Sequence, residues 1–158
     1  MPSSRRAGSA RSPGKGRLRL NLRGATDPEL PSRSTLRRWV AQALSCAGEI
    51  TLVFVDSRAG RRLNRQFRGR DYATNVLTFP YQIEPFVVAD VVICLSVVRR
   101  EALEQGKTLR RHLAHLIVHG VLHAQGLDHA RAGDARRMEA LERRLLAQLR
   151  IPDPYRGL

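Results

Sequence analysis

Two histidines placed four residues apart on an apolar segment constrain this chain more than any other feature of its sequence. The segment, from about 109 to 125, is apolar over more than half of a helical circumference, which predicts a buried central helix. Its apolar positions are Leu113, Leu116, Ile117, Val118 and Leu122. On such a helix His119 and His123 share one face, so their imidazoles can reach one ion. Gly126 can end the helix in a left-handed conformation and return His129 toward that pair.

These three histidines predict a metal site at the C-terminal end of the central helix. Three neutral nitrogens match the ligand set of a catalytic zinc, in which the fourth position stays open for water. We therefore expect one Zn²⁺ per chain, held by His119, His123 and His129. This arrangement predicts a metal-dependent hydrolase.

Residues next to the pair His119 and His123 limit which ligands and which reaction class are compatible with the sequence. His115 lies one turn before His119, but residues 115 and 123 are about 12 Å apart along a helix axis, too far for ligands of one ion. We expect His115 to support or pack against the site, and we assign His112 no role. Gly120 stands where the zinc-protease signature H-E-x-x-H carries its glutamate base, which disfavours a thermolysin-like peptidase.

The charge of the chain indicates a polyanionic partner. Its 28 Lys and Arg against 14 Asp and Glu leave a formal charge of +14, which attracts nucleic acid or an acidic membrane surface. No stretch approaches the ~20 apolar residues of a membrane span, and no apolar run follows the basic N-terminus as in a signal peptide. We expect a cytoplasmic protein. Cys46 and Cys94 form no CxxC pair and are assigned to packing.

A length of 158 residues predicts one folded domain, over 17–158. Residues 1–16, rich in Ser, Gly, Pro and Arg, are predicted to be a disordered basic arm. Such an arm can contact phosphates without specificity, or it can be an incidental solvated tail.

Hydrophobic periodicity predicts an α/β or α+β domain in which about four mixed strands are covered by about five helices. Strands are predicted at 18–23, 50–55, 76–79 and 87–95, the third ending at Pro80, and 81–85 is predicted to be a loop. Helices are predicted after Pro31, at 58–70, from Ser96 to Gly106, at 109–125 and at 138–149. Ser34, Ser96 and Thr108 are the predicted N-caps.

Residues 58–70 contain six arginines and no acidic residue. Leu63 and Phe67, four residues apart, are predicted to anchor this helix to the core. A solvated helix face is the ordinary explanation of a charge run, but this concentration beside a metal site also suits a phosphate backbone.

Several of these stretches resemble one known family. The segment H119-G-V-L-H-A-Q-G-L-D-H129 is similar to the H-G-x-L-H-L-x-G-Y-D-H signature of the YbeY family of bacterial endoribonucleases, also called rRNA maturation factors. Further similar stretches are Leu63–Arg68 with Asp71, Thr74–Pro80, Ala89–Cys94, Met138–Glu142 and Asp153–Tyr155. The chain departs from the family pattern at Leu127, where Tyr is usual, and at Ala89, where Gly is usual.

The resemblance implies a zinc-dependent endoribonuclease for single-stranded RNA, with roles in 16S rRNA 3′-end processing and ribosome quality control. The implied partners are rRNA and the ribosome or its small subunit, without a membrane and without specificity for DNA. Arg68 matches the arginine associated with activity in the family. Two alternatives stay open: a metal-dependent hydrolase of another substrate class, and a non-catalytic ribosome-binding factor with a structural zinc.

Overall fold

The computed structural model describes residues 17–127 and 132–156. Over these ranges the chain forms a single domain of four strands and five helices, as predicted. In chain order they are β1 (Leu18–Arg23), α1 (Arg33–Ala43), β2 (Gly48–Val55), α2 (Ser57–Arg68), β3 (Val76–Gln82), β4 (Val87–Cys94), α3 (Leu95–Glu104), α4 (Leu109–Ala124) and α5 (Ala132–Gln148). The predicted basic arm, 1–16, lies outside the described residues.

The strands form one mixed sheet in the order β1-β2-β4-β3. β1 pairs with β2 in parallel, β2 pairs with β4 in parallel, and β3 runs antiparallel to β4 at the edge. The central strands β2 and β4 are apolar along most of their length because helices cover the sheet on both faces.

Helix α4 lies against one face of this sheet, and Gly120 permits its close approach. A Cβ at position 120 would lie 2.8 Å from Val91 Cγ1 and 3.3 Å from Thr78 Oγ1, so no larger side chain fits there. The Thr78 hydroxyl also donates to the Gly120 carbonyl at 3.1 Å. Gly120, which directly follows His119, therefore faces the sheet. A glutamate base has no room at this position.

Helix α2 lies against the opposite face, where Gly60 packs on Cys94. Cys94 is buried, Cys46 is half-buried, and both are free thiols. Their surroundings agree with the packing role predicted for them.

Strand β3 is longer than predicted. It continues through Pro80 to Gln82, with a register shift between these two residues. The predicted stop at Pro80 was wrong because β3 is an edge strand, where a residue without an N–H does not break the sheet. The predicted loop at 81–85 accordingly begins later.

Two of the three predicted helix caps were also wrong. Ser32 rather than Ser34 caps α1, its Oγ accepting from the Thr35 amide at 3.3 Å. Helix α3 begins before Ser96, whose hydroxyl instead pairs with that of Ser57 at 2.6 Å. Thr108 caps α4 as predicted, accepting from the Arg111 amide at 3.2 Å.

Candidate metal centre and adjoining cleft

Helix α4 presents His115, His119 and His123 at successive intervals of four residues. The rings of His119 and His123 meet edge to face with centroids 4.6 Å apart, and their Nε2 atoms are 3.1 Å apart. Two nitrogens bound at ~2.0–2.1 Å to one tetrahedral ion lie roughly 3.3 Å from each other. The structure thus brings these two predicted ligands to a separation that suits one ion.

Glu142 of α5 is fully buried beneath this histidine face. It accepts hydrogen bonds from His119 Nδ1 and from the Tyr155 hydroxyl, and His115 Nε2 lies 3.3 Å from its Oε2. His115 Nε2 is also 3.3 Å from the Tyr155 oxygen. Three side chains, two from α4 and one from the segment after α5, therefore meet around the carboxylate that α5 supplies.

Burial alone would raise the pKa of the Glu142 carboxyl, but the hydrogen bonds from His115, His119 and Tyr155 outweigh burial and lower it to about 2. Burial and the hydrogen bond to Glu142 raise the pKa of Tyr155. Glu142 is therefore a charged acceptor at neutral pH, and Tyr155 keeps the proton that it donates.

His115, His119 and Glu142 form a candidate metal site, because one ligand atom from each lies within 4.8 Å of the others. The sequence interpretation missed Glu142, although a glutamate on the apolar face of α5, four residues after buried Met138, was a usable signal. It placed His115 in a supporting role, and this residue lies directly in the cluster.

The two ring nitrogens of His119 contact different partners, so a metal ion could bind on either side of this ring. Nδ1 points to Glu142, whereas Nε2 points to His123. Metal-binding histidines usually donate their second ring N–H to a carboxylate, which fixes the tautomer and leaves the other nitrogen for the ion. Glu142 can thus be either a ligand beside His115 or the carboxylate that orients His119. His129, the third predicted ligand, lies outside the described residues.

A cleft of about 450 Å³ opens on the Nε2 side of the pair and is lined by both His119 and His123. Its remaining wall is the segment before β3, the strand itself and Arg68; the lining residues there are Thr74, Asn75, Val76, Leu77, Thr78 and Pro80. Arg68, at the last position of α2, is exposed. The structure therefore places the arginine singled out by sequence in the same cleft as two of the three predicted ligands.

Helix α2 buries two small residues rather than a large apolar face. Gly60 and Asn64 are its buried residues, and the Asn64 amide donates to the Tyr72 carbonyl at 2.7 Å. The prediction that Phe67 anchors the helix was wrong: Phe67 is 56% exposed and meets Phe79 in an edge-to-face contact. Spacing of four residues identified a shared face but not which face turns inward.

The arginines of α2 point mostly to solvent. Arg61 binds Asp71 through two bonds of 2.8 and 2.9 Å, and this hydrogen bonding lowers the pKa of the Asp71 carboxyl. Within the described part of the chain, the other arginines of the helix form no ion pair; they are Arg58, Arg62, Arg65 and Arg68. Four uncompensated charges make this helix a basic face bordering the cleft.

His112, which was assigned no role, belongs to a buried support of the cleft wall. Its Nε2 lies 3.1 Å from Glu101 Oε1, and the same carboxylate accepts from Asn75 Nδ2 at 2.9 Å. Burial lowers the pKa of His112, although the hydrogen bond to Glu101 opposes this effect. Through Glu101, His112 helps to hold Asn75 at the cleft.

The fold and the site together define an α+β protein with a candidate metal site beside a basic cleft. The family model described as Endoribonuclease YbeY matches residues 28–150, and the chain belongs to the YbeY family.

Related proteins agree with this assignment. The chain is 51% identical over 145 residues to Endoribonuclease YbeY of Delftia acidovorans, covering 87% of this chain and 95% of that protein. It is 56% identical over 144 residues to Endoribonuclease YbeY of Bordetella pertussis, covering 84% and 91%. The solution structure of a Thermotoga maritima protein is also similar, with a TM-score of 0.55, 25% identity, and coverage of 84% of this chain and 91% of that one.

Proposed function

We propose that this protein is a metal-dependent endoribonuclease that cleaves single-stranded RNA in the cytoplasm. We further propose that it acts in rRNA maturation, including 16S rRNA 3′-end processing, and in ribosome quality control. The observation that carries the proposal is the shared cleft, in which Arg68 and the histidines 119 and 123 line one cavity. Membership of a family described as endoribonucleases supports the reaction class.

We infer that the metal is zinc and that His119, His123 and His129 hold it. The separation of the two Nε2 atoms and the nitrogen-only donor set favour zinc at this position. Glu142 is fully buried and is not among the residues lining the cleft, so a ligand role for Glu142 would place the ion away from the substrate. We therefore assign Glu142 to orienting His119, and His115 and Tyr155 to holding Glu142.

A bound metal supplies Lewis-acid polarisation of a phosphoryl oxygen and acidifies water. Glu142 keeps the proton of His119 on Nδ1, so that Nε2 faces the cleft as an acceptor. Arg68 cannot be a ligand because its guanidinium stays protonated and has only donors. Its planar fork is suited to two phosphate oxygens, and it can stabilise the charge that develops on the scissile phosphate.

The proposed partners are single-stranded RNA, rRNA and the ribosome or its small subunit. A formal charge of +14 and the exposed arginines of α2 support binding to a phosphate backbone. Among the described residues, none of the helices combines the length and the apolar character needed to cross a bilayer.

The test compares substrates and metal states of the purified protein. We expect the metal-loaded protein to cut labelled single-stranded RNA, to cut duplex RNA far more slowly and to leave casein intact. A chelator should abolish cleavage, and added zinc should restore it. Cleavage of casein, or chelator-resistant cleavage of RNA, would contradict the proposal.

A further inference from the structure

The exposed aromatic side chains of this protein are confined to one place. The chain has four Phe, three Tyr and one Trp, all of them within the described residues. Three are more than half exposed: Phe67 at 56%, Tyr72 at 53% and Tyr81 at 51%. All three fall between residues 67 and 81, the segment that also supplies most of the cleft wall. Exposed apolar surface concentrated in this way marks a binding surface.

Three rings in this segment share one face of the sheet. Phe67 of α2 meets Phe79 of β3 at a centroid distance of 5.0 Å and an interplanar angle of 72°. Phe79 lies directly opposite Asp90 in the sheet register, and the Tyr81 hydroxyl donates to Asp90 Oδ2 at 2.9 Å. Tyr81 therefore lies on the same side of β3 as Phe79. We call Phe67, Phe79 and Tyr81 the aromatic strip.

The aromatic strip lies beside the basic helix on one face of edge strand β3, and the cleft lies on the other face. Phe67 directly precedes Arg68, which lines the cleft, whereas Phe79 and Tyr81 lie on the face of β3 opposite to Thr78, which contacts α4. Among the described residues, four arginines of α2 have no ion pair, so the helix that carries Phe67 is a source of positive charge. Aromatic faces beside a cationic groove are the combination by which proteins bind single-stranded nucleic acid, the bases stacking on the rings while the cations follow the backbone.

We propose that the aromatic strip stacks unpaired bases of the RNA, so that the strand passes over the edge of the sheet at β3 and reaches the cleft with its phosphates toward Arg68. This inference rests on the proposed function and names the surface that selects single strands. The bases of a duplex are paired and stacked on each other, so their faces cannot reach these rings. Every base has a π-face, so this selection does not depend on sequence.

The first experiment compares base-containing and abasic RNA. Fluorescence anisotropy measures binding of the metal-loaded wild type to a labelled single strand and to a strand of equal length with a central abasic tract. We expect the wild type to bind the abasic strand about 5- to 150-fold more weakly for each stacked base that is lost. Phe67→Ala should discriminate less between the two strands, because one of the three rings of the strip is gone.

Two matched variants separate stacking from general effects. Phe67→Leu keeps an apolar side chain of similar bulk but has no π-face, so it should behave like Phe67→Ala. Leu103→Ala removes a side chain that is 83% exposed on α3 and does not line the cleft, so it should match the wild type. A 2-aminopurine base in the single strand should lose fluorescence on binding the wild type and much less on binding Phe67→Ala.

Each outcome bears on one of the two proposals. If the wild type cuts RNA but discriminates against the abasic strand no better than Phe67→Ala does, the aromatic strip is not a base platform and the nuclease function stands. If the wild type neither binds nor cuts RNA, both proposals are overturned. If Phe67→Ala instead changes sedimentation of the protein alone, the strip is an interface between two copies of the chain.

Discussion

Helices α4 and α2 supply opposite kinds of surface to the same cleft. Ten of the sixteen residues of α4 are buried, and its histidines meet defined partners on α3, α5 and the segment after α5. Only two of the twelve residues of α2 are buried, and four of its arginines have no ion pair within the described ranges. The contacts of α4 fix its side chains before any ligand binds, whereas the exposed side chains of α2 can still adjust.

The chemistry of the two groups that we propose to bind there, a metal ion and a phosphate backbone, explains this division. A metal ion requires donor atoms at set distances, so the imidazoles need buried supports that fix each ring. A phosphate backbone is flexible and attracts cations over several ångströms, so exposed arginines can follow it without a rigid frame. The following experiments test whether the two helices divide the work in this way, beginning with the largest effect.

Replacing His123 by Ala should remove most of the bound metal and nearly all RNA cleavage, because the proposed site loses one of its nitrogen ligands. Elemental analysis of the purified variant measures the metal, and a labelled single strand measures cleavage. The informative comparison is His115→Ala, which should keep most of its metal. If His115→Ala loses the metal and His123→Ala retains it, the ion belongs with His115, His119 and Glu142 instead.

Replacing Arg68 by Ala should lower cleavage by ~10²–10³ while leaving metal content and fold unchanged, because one preorganised donor to the developing charge is lost. Arg68→Lys should recover only part of the rate, since a point charge lacks the two-pronged geometry. Arg65→Ala is the matched control from the same helix and should mainly weaken RNA binding. Equal, small losses of activity for Arg65→Ala and Arg68→Ala at saturating RNA would show that α2 is only a solvated basic face and that Arg68 has no catalytic role.

Replacing Glu142 by Gln should weaken metal binding by ~10–100-fold, the usual effect of losing a carboxylate that orients a metal-binding histidine. Glutamine preserves the shape of the side chain but lacks the negative charge that faces His115 and His119. Competition with a chromophoric chelator measures the affinity. Complete loss of metal, as severe as in His123→Ala, would indicate that Glu142 is itself a ligand.

The smallest effect concerns stability at acidic pH. Burial lowers the pKa of His112 in the folded protein, so below about 6.5 the unfolded chain takes up a proton that the folded chain resists. This residue's contribution to the free energy of unfolding is therefore present above pH 6.5 and is lost as pH falls from there toward the folded pKa. His112→Gln, which keeps a donor for Glu101, should lose less stability between pH 7.5 and 5.5 in urea titrations. Identical losses in both proteins would assign the pH dependence to other groups.

Apolar periodicity was sufficient to predict the elements of this fold, because the central helix and the buried strands have strong local patterns. It failed where a residue's effect depends on its place in the sheet, as with Pro80, which a central strand would exclude and an edge strand accepts. It also failed for Phe67, because helical spacing does not show which of several faces packs inward.

The candidate site was predictable to the extent that it is local. His119 and His123 are one helical turn apart, so their proximity follows from helix geometry alone. Arg68 was singled out by a resemblance and not by spacing. Glu142 lies 23 residues beyond His119, and Tyr155 lies 13 residues beyond Glu142. Their contacts depend on how α5 packs on α4, which no local pattern specifies.

The position of Glu142 has a consequence for shortened forms of this protein. The carboxylate that faces His119 lies 23 residues further along the chain, and Tyr155 contacts it from the segment after α5. Under the proposed function, a chain cut before residue 142 keeps both histidines of the cleft but loses the group that orients His119. We therefore expect a product of such proteolysis to bind metal weakly and to leave RNA intact.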